Sequence, residues 1–291
     1  MASAELRQIK RRIRSVQSTR KITRAMELIA ASRIVRAQAR VQAAGPYVTK
    51  LAEVIQNAAR AAGGTTHMLL EARDVETVGL VVVTSDRGLA GAYNANIYRL
   101  AERTLVEHRQ AGRDYRLYAV GKKAQSYFRF RGYAVQQSFL GVTDTPGYGD
   151  ARAVANTVLN EFASGAVDKI EVVYTRFLSA LAQEPLLVTL IPVEPPEAEE
   201  GAATVAYEYE PDAETLLARL LPRFVEATVF GALLTSSASE HASRQRAMKA
   251  ATENADELIK LLDRVYNQAR QAEITTEISE IVGGAEALIR G

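Results

Sequence analysis

The sequence predicts an α/β fold plus a long antiparallel α-helical coiled coil formed by the N- and C-terminal helices, with an open, largely parallel sheet in the middle. Apolar residues recur at steps of three and four through both ends of the 291-residue chain. Between these ends, short apolar runs alternate with helical stretches, which is the order of a parallel sheet covered by helices. At about 1.5 Å per residue, either terminal helix is too long for a compact globule, so the two must bury their apolar stripes on each other.

The first helix is predicted to run to about Arg60. Its opening stripe has the three-and-four spacing of a coiled-coil seam and comprises Leu6, Ile9, Ile13 and Val16. Strict register is lost near Thr19, and we expect the stripe to resume at Ile22, Ala25, Met26 and Ile29. The pair Gly45-Pro46 predicts a kink or a break, because proline lacks an amide donor and clashes with the preceding turn. Gly63-Gly64 is expected to end the segment.

The middle of the chain is predicted to alternate between β-strands and α-helices. The predicted strands are Val78–Thr84, Arg116–Val120, Ala134–Phe139, Ile170–Tyr174 and Leu186–Ile191. The first three are followed by predicted helices at Asn94–Gln110, Lys122–Arg131 and Ala151–Ala163.

The last helix is predicted from about Asp212 to Leu288. Its apolar positions include Leu217, Leu220, Phe224, Leu258, Leu262, Val265, Ala269, Ala272, Ile274, Ile278, Ile281, Ala285 and Leu288. An acidic linker precedes it, in which we expect one exposed strand at Thr204–Tyr209. The resulting division is 1–62 for the N-terminal helix, 75–193 for the α/β domain, 194–211 for the linker and 212–291 for the C-terminal helix.

Composition excludes several classes of site. Without cysteine there is no disulfide, thiolate metal site or thiol switch within the chain. None of the three histidines lies three or four residues from another, which disfavours a zinc site. No apolar run approaches the roughly 20 residues that span a bilayer. We therefore expect neither a metal nor a cofactor.

The loops that follow the strands do not match a known catalytic motif. Ser85–Gly91 contains neither a dinucleotide-binding glycine pattern nor a phosphate-binding P-loop, and we interpret it as a tight turn. Gly121-Lys122-Lys123 opens a helix and is interpreted as solvated surface, although such a terminus can meet a phosphate. The carboxylates of Thr143–Asp150 are interpreted as a turn and a helix cap. The β-α order alone leaves a nucleotide-dependent enzyme open, and a charge of +9 over residues 1–40 leaves a nucleic-acid-binding coiled coil open.

Several motifs, in order along the whole chain, resemble those of the gamma subunits of F-type ATP synthases. They are Ile9–Ile13, Thr19–Ser32, Thr84–Leu89 with Gly91 and Asn94, Ala247–Ala255, and Tyr266–Thr275 with Glu277 and Ile281–Gly284. The insert that carries a thiol switch in chloroplast members has no counterpart here. The start of the chain at the family's first helix favours a bacterial origin, with a mature organellar chain as the alternative.

The resemblance implies a central rotor shaft that is not itself catalytic. In the family, the coiled coil stands inside a ring of three alpha and three beta subunits, and a Rossmann-like domain that binds no nucleotide forms a foot on the c-ring and touches the epsilon subunit. Rotation of the c-ring, driven by protons or sodium ions, changes the catalytic beta sites in turn. The implied location is peripheral, on the cytoplasmic face of the bacterial cell membrane.

The same resemblance implies residues at subunit contacts. The residues expected at beta-subunit contacts are Met26, Arg244, Lys249, Arg270, Gln271 and Thr275. Those at the foot, near the c-ring and epsilon, are Tyr207 and Glu210. The alternative for Met26 is that it packs in the core. The alternative for the residues of the last helix is that they lie on a solvated helix face. Tyr207 and Glu210 would, in the alternative, belong to an acidic linker without a contact role.

Overall fold

The computed structural model describes residues 2–61, 67–193 and 212–290. It divides into two compact units, one formed by Met1–Ala30 with Gln245–Gly291 and the other by Ala31–Arg244. The acidic linker, the strand expected at Thr204–Tyr209 and the stop at Gly63-Gly64 lie outside the described residues.

Two long helices carry the ends of the chain. Helix α1 spans Ala2–Ala61 and helix α5 spans Ala213–Arg290, so both predicted lengths are confirmed. Of the kink or break expected at Gly45-Pro46, the break is wrong, because α1 continues through Pro46 as one helix. The kink stays a prediction. The carbonyl of Gln42, which loses its amide partner to the proline, belongs to an exposed residue, where water can satisfy it.

In the first unit, α1 and α5 pair antiparallel along a regular seam. The α1 side chains that are buried or half-buried are Leu6, Ile9, Ile13, Val16, Arg20, Thr23, Met26, Glu27 and Ala30, and those of α5 include Met248, Thr252, Ala255, Ile259, Leu262, Tyr266, Ala269 and Glu273. The direction follows from two contacts, because Thr23 bonds to Thr252 at 2.8 Å and Arg20 pairs with Asp256 at 2.7 Å.

The heptad spacing of buried positions continues past Thr19, where the spacing of apolar residues becomes irregular, because polar residues occupy some of the buried positions. Ile22 and Ile29 were expected inside but are 58% and 55% exposed, whereas Thr23 and Glu27 are buried. The expectation for the two isoleucines is therefore wrong, because heptad geometry selects position and not polarity. On α5, the predicted stripe residues Val265, Ile274, Ile278, Ile281 and Leu288 are likewise exposed in this unit.

The second unit contains a five-stranded sheet in the order β3-β2-β1-β4-β5. Its elements are β1 Thr77–Val83, α2 Tyr93–Gln110, β2 Asp114–Val120, α3 Lys122–Phe130, β3 Val135–Phe139, α4 Tyr148–Ala163, β4 Lys169–Phe177 and β5 Gln183–Ile191. Neighbouring strands are parallel except β5, which runs antiparallel to β4. The predicted sheet is confirmed.

Each face of the sheet is covered by a different set of helices. Leu80 and Val82 of β1 belong to a core with α2 and α3, while Val81 and Val83 belong to a core with α4 and with the parts of α1 and α5 that lie in this unit. Because successive side chains of a strand point to opposite faces, one run of apolar residues supplies both cores. This arrangement leaves the carboxyl ends of the parallel strands at one edge, followed by the loops that sequence analysis singled out.

A matched pair of leucines on α5 tests the seam. Leu262→Ala removes a side chain that is 8% exposed, whereas Leu261→Ala removes its neighbour, which is 51% exposed. We expect Leu262→Ala to cost about 2–3 kcal/mol of unfolding free energy and Leu261→Ala less than about 1 kcal/mol. Urea denaturation followed by circular dichroism measures both, and equal losses would contradict the observed seam.

Candidate functional site

The loops at the carboxyl edge of the sheet are tied together by one carboxylate, that of Asp86. Its oxygens accept hydrogen bonds from the backbone amides of Lys122, Gly141 and Thr143 at 2.9, 3.0 and 3.1 Å, and from the Thr143 hydroxyl at 2.9 Å. Burial alone would raise the pKa of Asp86, but these hydrogen bonds lower it below its ordinary value. The ionised side chain therefore links the ends of β1, β2 and β3.

These contacts also fill the N-terminus of α3, the position where a phosphate would bind. The amide of Lys122 donates to Asp86, that of Lys123 to the Ser85 carbonyl at 3.0 Å, and that of Ala124 to the Thr84 hydroxyl at 2.8 Å. Since the first three amides of the helix already have partners within the chain, the edge is built as a closed structural turn and not as a phosphate cradle.

The second acidic loop is also used internally. Asp144 pairs with Arg33 of α1 at 2.5 Å, and Asp150 accepts the Gly147 amide at 2.8 Å. The expected capping is present with a shift in position, because α4 begins at Tyr148, Gly147 is the N-cap, and Asp150 accepts the N-cap amide from the third position of the helix. Among the residues in 2–61, 67–193 and 212–290, no three histidine or acidic side chains come together in a way that could hold a metal ion.

Arg244, one of the predicted contact residues, lies inside the second unit. Its side chain is 9% exposed and donates to the carboxylate of Glu240 at 2.6 Å and to the carbonyl of Gly88 at 3.2 Å. Burial raises the pKa of Glu240 to about 7, against the attraction of Arg244. Sequence reasoning missed Glu240. Its spacing of four residues before Arg244 was the available signal.

Met26 and Lys249 belong to the first unit and are placed differently. Met26 is one of the half-buried side chains of the seam, and the Lys249 side chain is 59% exposed, 4.0 Å from Glu253. Lys249 borders an open groove of about 580 Å³, which is lined by Arg20, Lys21, Arg24, Ala25, Glu27, Leu28, Lys249, Thr252, Glu253 and Asp256. Both positive and negative side chains line this groove.

Arg270, Gln271 and Thr275 are exposed near the end of the seam. The Thr275 hydroxyl donates to the Gln271 carbonyl of its own helix at 2.9 Å. Their role in binding a partner stays a prediction, as do those of Met26, Arg244 and Lys249. Tyr207 and Glu210 lie outside the described residues.

Comparison with known proteins covers almost the whole chain. A family model described as ATP synthase matches residues 5–288. The ATP synthase gamma chain of Acidothermus cellulolyticus is 49% identical, over 98% of each chain. The gamma chains of Kineococcus radiotolerans and Exiguobacterium sp. are 47% and 44% identical, over 98% of this chain and 97% and 99% of theirs.

The chain belongs to the ATP synthase gamma chain family. Solved structures agree with the gamma chain fold. A chain of the Euglena gracilis mitochondrial ATP synthase superposes with a TM-score of 0.69 at 17% identity, covering 98% of this chain and 95% of that one. A chain of the Tetrahymena thermophila mitochondrial ATP synthase central stalk and c-ring superposes with a TM-score of 0.62 at 24% identity, over 79% and 99%.

Replacement of Asp86 should reveal its role at the sheet edge. Asp86→Asn removes the charge that three amides and a hydroxyl share, so we expect a loss of about 2 kcal/mol of unfolding free energy near neutral pH. Because the folded-state pKa of Asp86 is depressed, its stabilising contribution is full above the ordinary value of 3.8 and is lost as the pH falls through the lower, folded-state value.

Urea denaturation from pH 7 down into the acid range therefore measures a difference between wild type and Asp86→Asn that shrinks in acid. Asp74→Asn, at an exposed aspartate, is the control and should change stability by less than about 0.5 kcal/mol. A difference at Asp86 that stayed constant with pH would contradict the proposed charge effect.

Proposed function

We propose that this gamma chain is the central-stalk rotor subunit of an F-type ion-translocating ATP synthase, in which it couples c-ring rotation to conformational cycling of the three catalytic beta subunits. The observation that carries the proposal is identity of 44–49% to gamma chains along nearly the full length of both partners. Its partners are then the alpha and beta subunits, the epsilon subunit and the c-ring, with no nucleic acid.

The first unit has the properties that a torque-bearing shaft needs. A continuous seam joins α1 and α5, and it is crossed by the Thr23–Thr252 hydrogen bond and the Arg20–Asp256 ion pair. The two helices present unlike surfaces, since Arg and Lys dominate the start of α1 and mixed charges cover α5. An asymmetric shaft interacts differently with three otherwise identical sites, which is required to bias their conformations differently.

We assign the second unit a structural role and not a catalytic one. The amides that could bind a phosphate at α3 donate instead to Asp86, Ser85 and Thr84. The described acidic and histidine side chains form no metal-binding group. Catalysis of ATP synthesis then belongs to other subunits of the complex.

No helix in the described part of the chain is both long enough and apolar enough to cross a membrane. We therefore propose that the gamma chain reaches the membrane through its complex, as a peripheral subunit on the cytoplasmic face of the bacterial cell membrane.

Exposed polar residues of α5 provide the test of coupling. In the assembled complex, Arg270→Ala with Gln271→Ala should weaken ATP-driven ion pumping while changing the stability of this chain by less than about 1 kcal/mol, because both side chains are exposed. The matched control is Arg99→Ala with Gln110→Ala, which removes the same residue types from the exposed surface of α2. Pumping per ATP hydrolysed, in membrane vesicles, is the measurement. Wild-type coupling in the α5 variant would refute these contacts.

The rival nucleotide-dependent enzyme makes a different prediction. A site in the sheet would bind nucleotide to the folded chain and raise its melting temperature by mass action. We expect millimolar ATP with magnesium to leave the melting temperature of the purified chain unchanged. A concentration-dependent rise would contradict the structural role of the second unit, and it would leave the family assignment intact.

A further inference from the structure

One buried ion pair in the second unit lies beneath an exposed turn. Glu240 is 1% exposed, and its Oε1 accepts from Arg244 Nη2 at 2.6 Å. Its other oxygen, Oε2, is buried and has no hydrogen-bond partner among the described residues. A buried carboxylate with only one oxygen satisfied is poorly stabilised as an anion.

Arg244 connects this carboxylate to the turn that follows β1. Its Nη2 donates to the carbonyls of Gly88 and Arg87 at 3.2 and 3.5 Å, and its Nε lies 3.4 Å from the Gly88 carbonyl. The next residue, Leu89, has a φ of 61°, which is in the left-handed region, although it is not glycine. It is also 63% exposed, so apolar burial does not hold it there. A turn with an unfavourable backbone conformation needs external support, and Arg244 provides it.

The other charged groups around the pair are already engaged. Asp86, in the turn itself, accepts from three backbone amides. Asp144, in the loop before α4, pairs with Arg33 of α1 at 2.5 Å. Within the described residues, Glu240 is then the carboxylate that directly balances the charge of Arg244.

Two further titratable groups face the pair. His241 of α5 has its Nδ1 3.5 Å from Arg244 Nη1 and its Nε2 3.2 Å from the Asp144 carbonyl, and burial lowers its pKa. Tyr93 of α2 is buried, and burial and the charge of Glu240 both raise the pKa of its hydroxyl, which keeps it neutral. β4 contributes Thr175, which does not titrate.

We propose that Glu240 and Arg244 form a proton-sensitive clamp on the turn Asp86–Gly91, which holds the turn when Glu240 is ionised and releases it when Glu240 takes up a proton. The physical reason is charge balance. A neutral Glu240 leaves the guanidinium of Arg244 buried without a counter-ion, and such a group moves toward water. The carbonyls of Arg87 and Gly88 then lose their donor, and the strained turn opens.

The pH range over which the clamp responds follows from the pKa of the Glu240 carboxylate. With a folded-state pKa of about 7, Glu240 is mainly neutral at pH 6 and mainly ionised at pH 8. The ionised fraction rises about tenfold between these values. The turn is therefore expected to be more tightly held on the alkaline side of neutrality.

Hydrogen exchange of the full-length chain tests the clamp. The readout is protection of the amides of residues 85–93, after correction for the intrinsic pH dependence of exchange. These include the amides of Ser85, Asp86 and Tyr93, which are hydrogen-bonded within the turn and its neighbours. We expect protection at pH 8 to exceed that at pH 6 by up to about tenfold. The turn at Ala111–Arg113 is the internal control and should show no such difference. Equal protection of residues 85–93 at both pH values would overturn the proposal.

Two variants identify the group responsible. Glu240→Gln is neutral at every pH, so it should show the low, pH 6 level of protection throughout. His241→Asn removes the other group that can titrate in this range and should retain the wild-type dependence. Loss of the dependence in His241→Asn would overturn the assignment to Glu240, as would a wild-type profile in Glu240→Gln. The wild-type and His241→Asn measurements decide the question even where Glu240→Gln does not fold.

Discussion

Polar groups that are removed from water must find partners inside the protein, and this requirement fixes the geometry of the gamma chain at several places. Across the seam of the first unit, the Thr252 hydroxyl donates to the Thr23 hydroxyl, which itself donates to the Arg20 carbonyl. Asp86, which follows β1, accepts hydrogen bonds from three amides in the segments that follow β2 and β3. Arg244 and Glu240 neutralise each other beneath the turn at Gly88. Apolar burial supplies most of the stability in each unit, but it is tolerant of small shifts, whereas a buried hydrogen bond specifies its partner.

The extent and order of the elements could be predicted from the sequence because both depend on local periodicity. Strand β1, for example, is a continuous apolar run because both faces of the sheet are covered, and this pattern is visible in seven consecutive residues. Helix α5 was predicted to within about two residues at either end. The break that was one alternative at Pro46 does not occur, because one missing amide on an exposed stretch can be compensated by water.

The candidate site was less accessible to sequence reasoning because its contacts join residues that are distant in the chain. Hydrophobicity favoured Ile22 and Ile29 for the seam, yet Thr23 and Glu27 are buried there. Nothing local to Arg244 indicates that its guanidinium contacts Gly88, 156 residues earlier. The exposure of Arg270 and Gln271, in contrast, agrees with their expected place on a polar helix surface. Which residues lie on a surface is partly a local property, whereas the partner of a buried charge is set by the tertiary fold.

The hydroxyl pair in the seam has a consequence for assembly of the shaft. An antiparallel coiled coil can in principle shift by one heptad and still bury a similar stripe. Here, a shift of seven residues on α5 would place Thr23 opposite Ile259 or Gln245 instead of Thr252, and would separate Arg20 from Asp256. One of these alternatives buries a hydroxyl against an aliphatic side chain, which is costly. The two threonines thus select one register of α5 against α1. Surface residues of α5 such as Arg270 therefore keep a fixed position along α1.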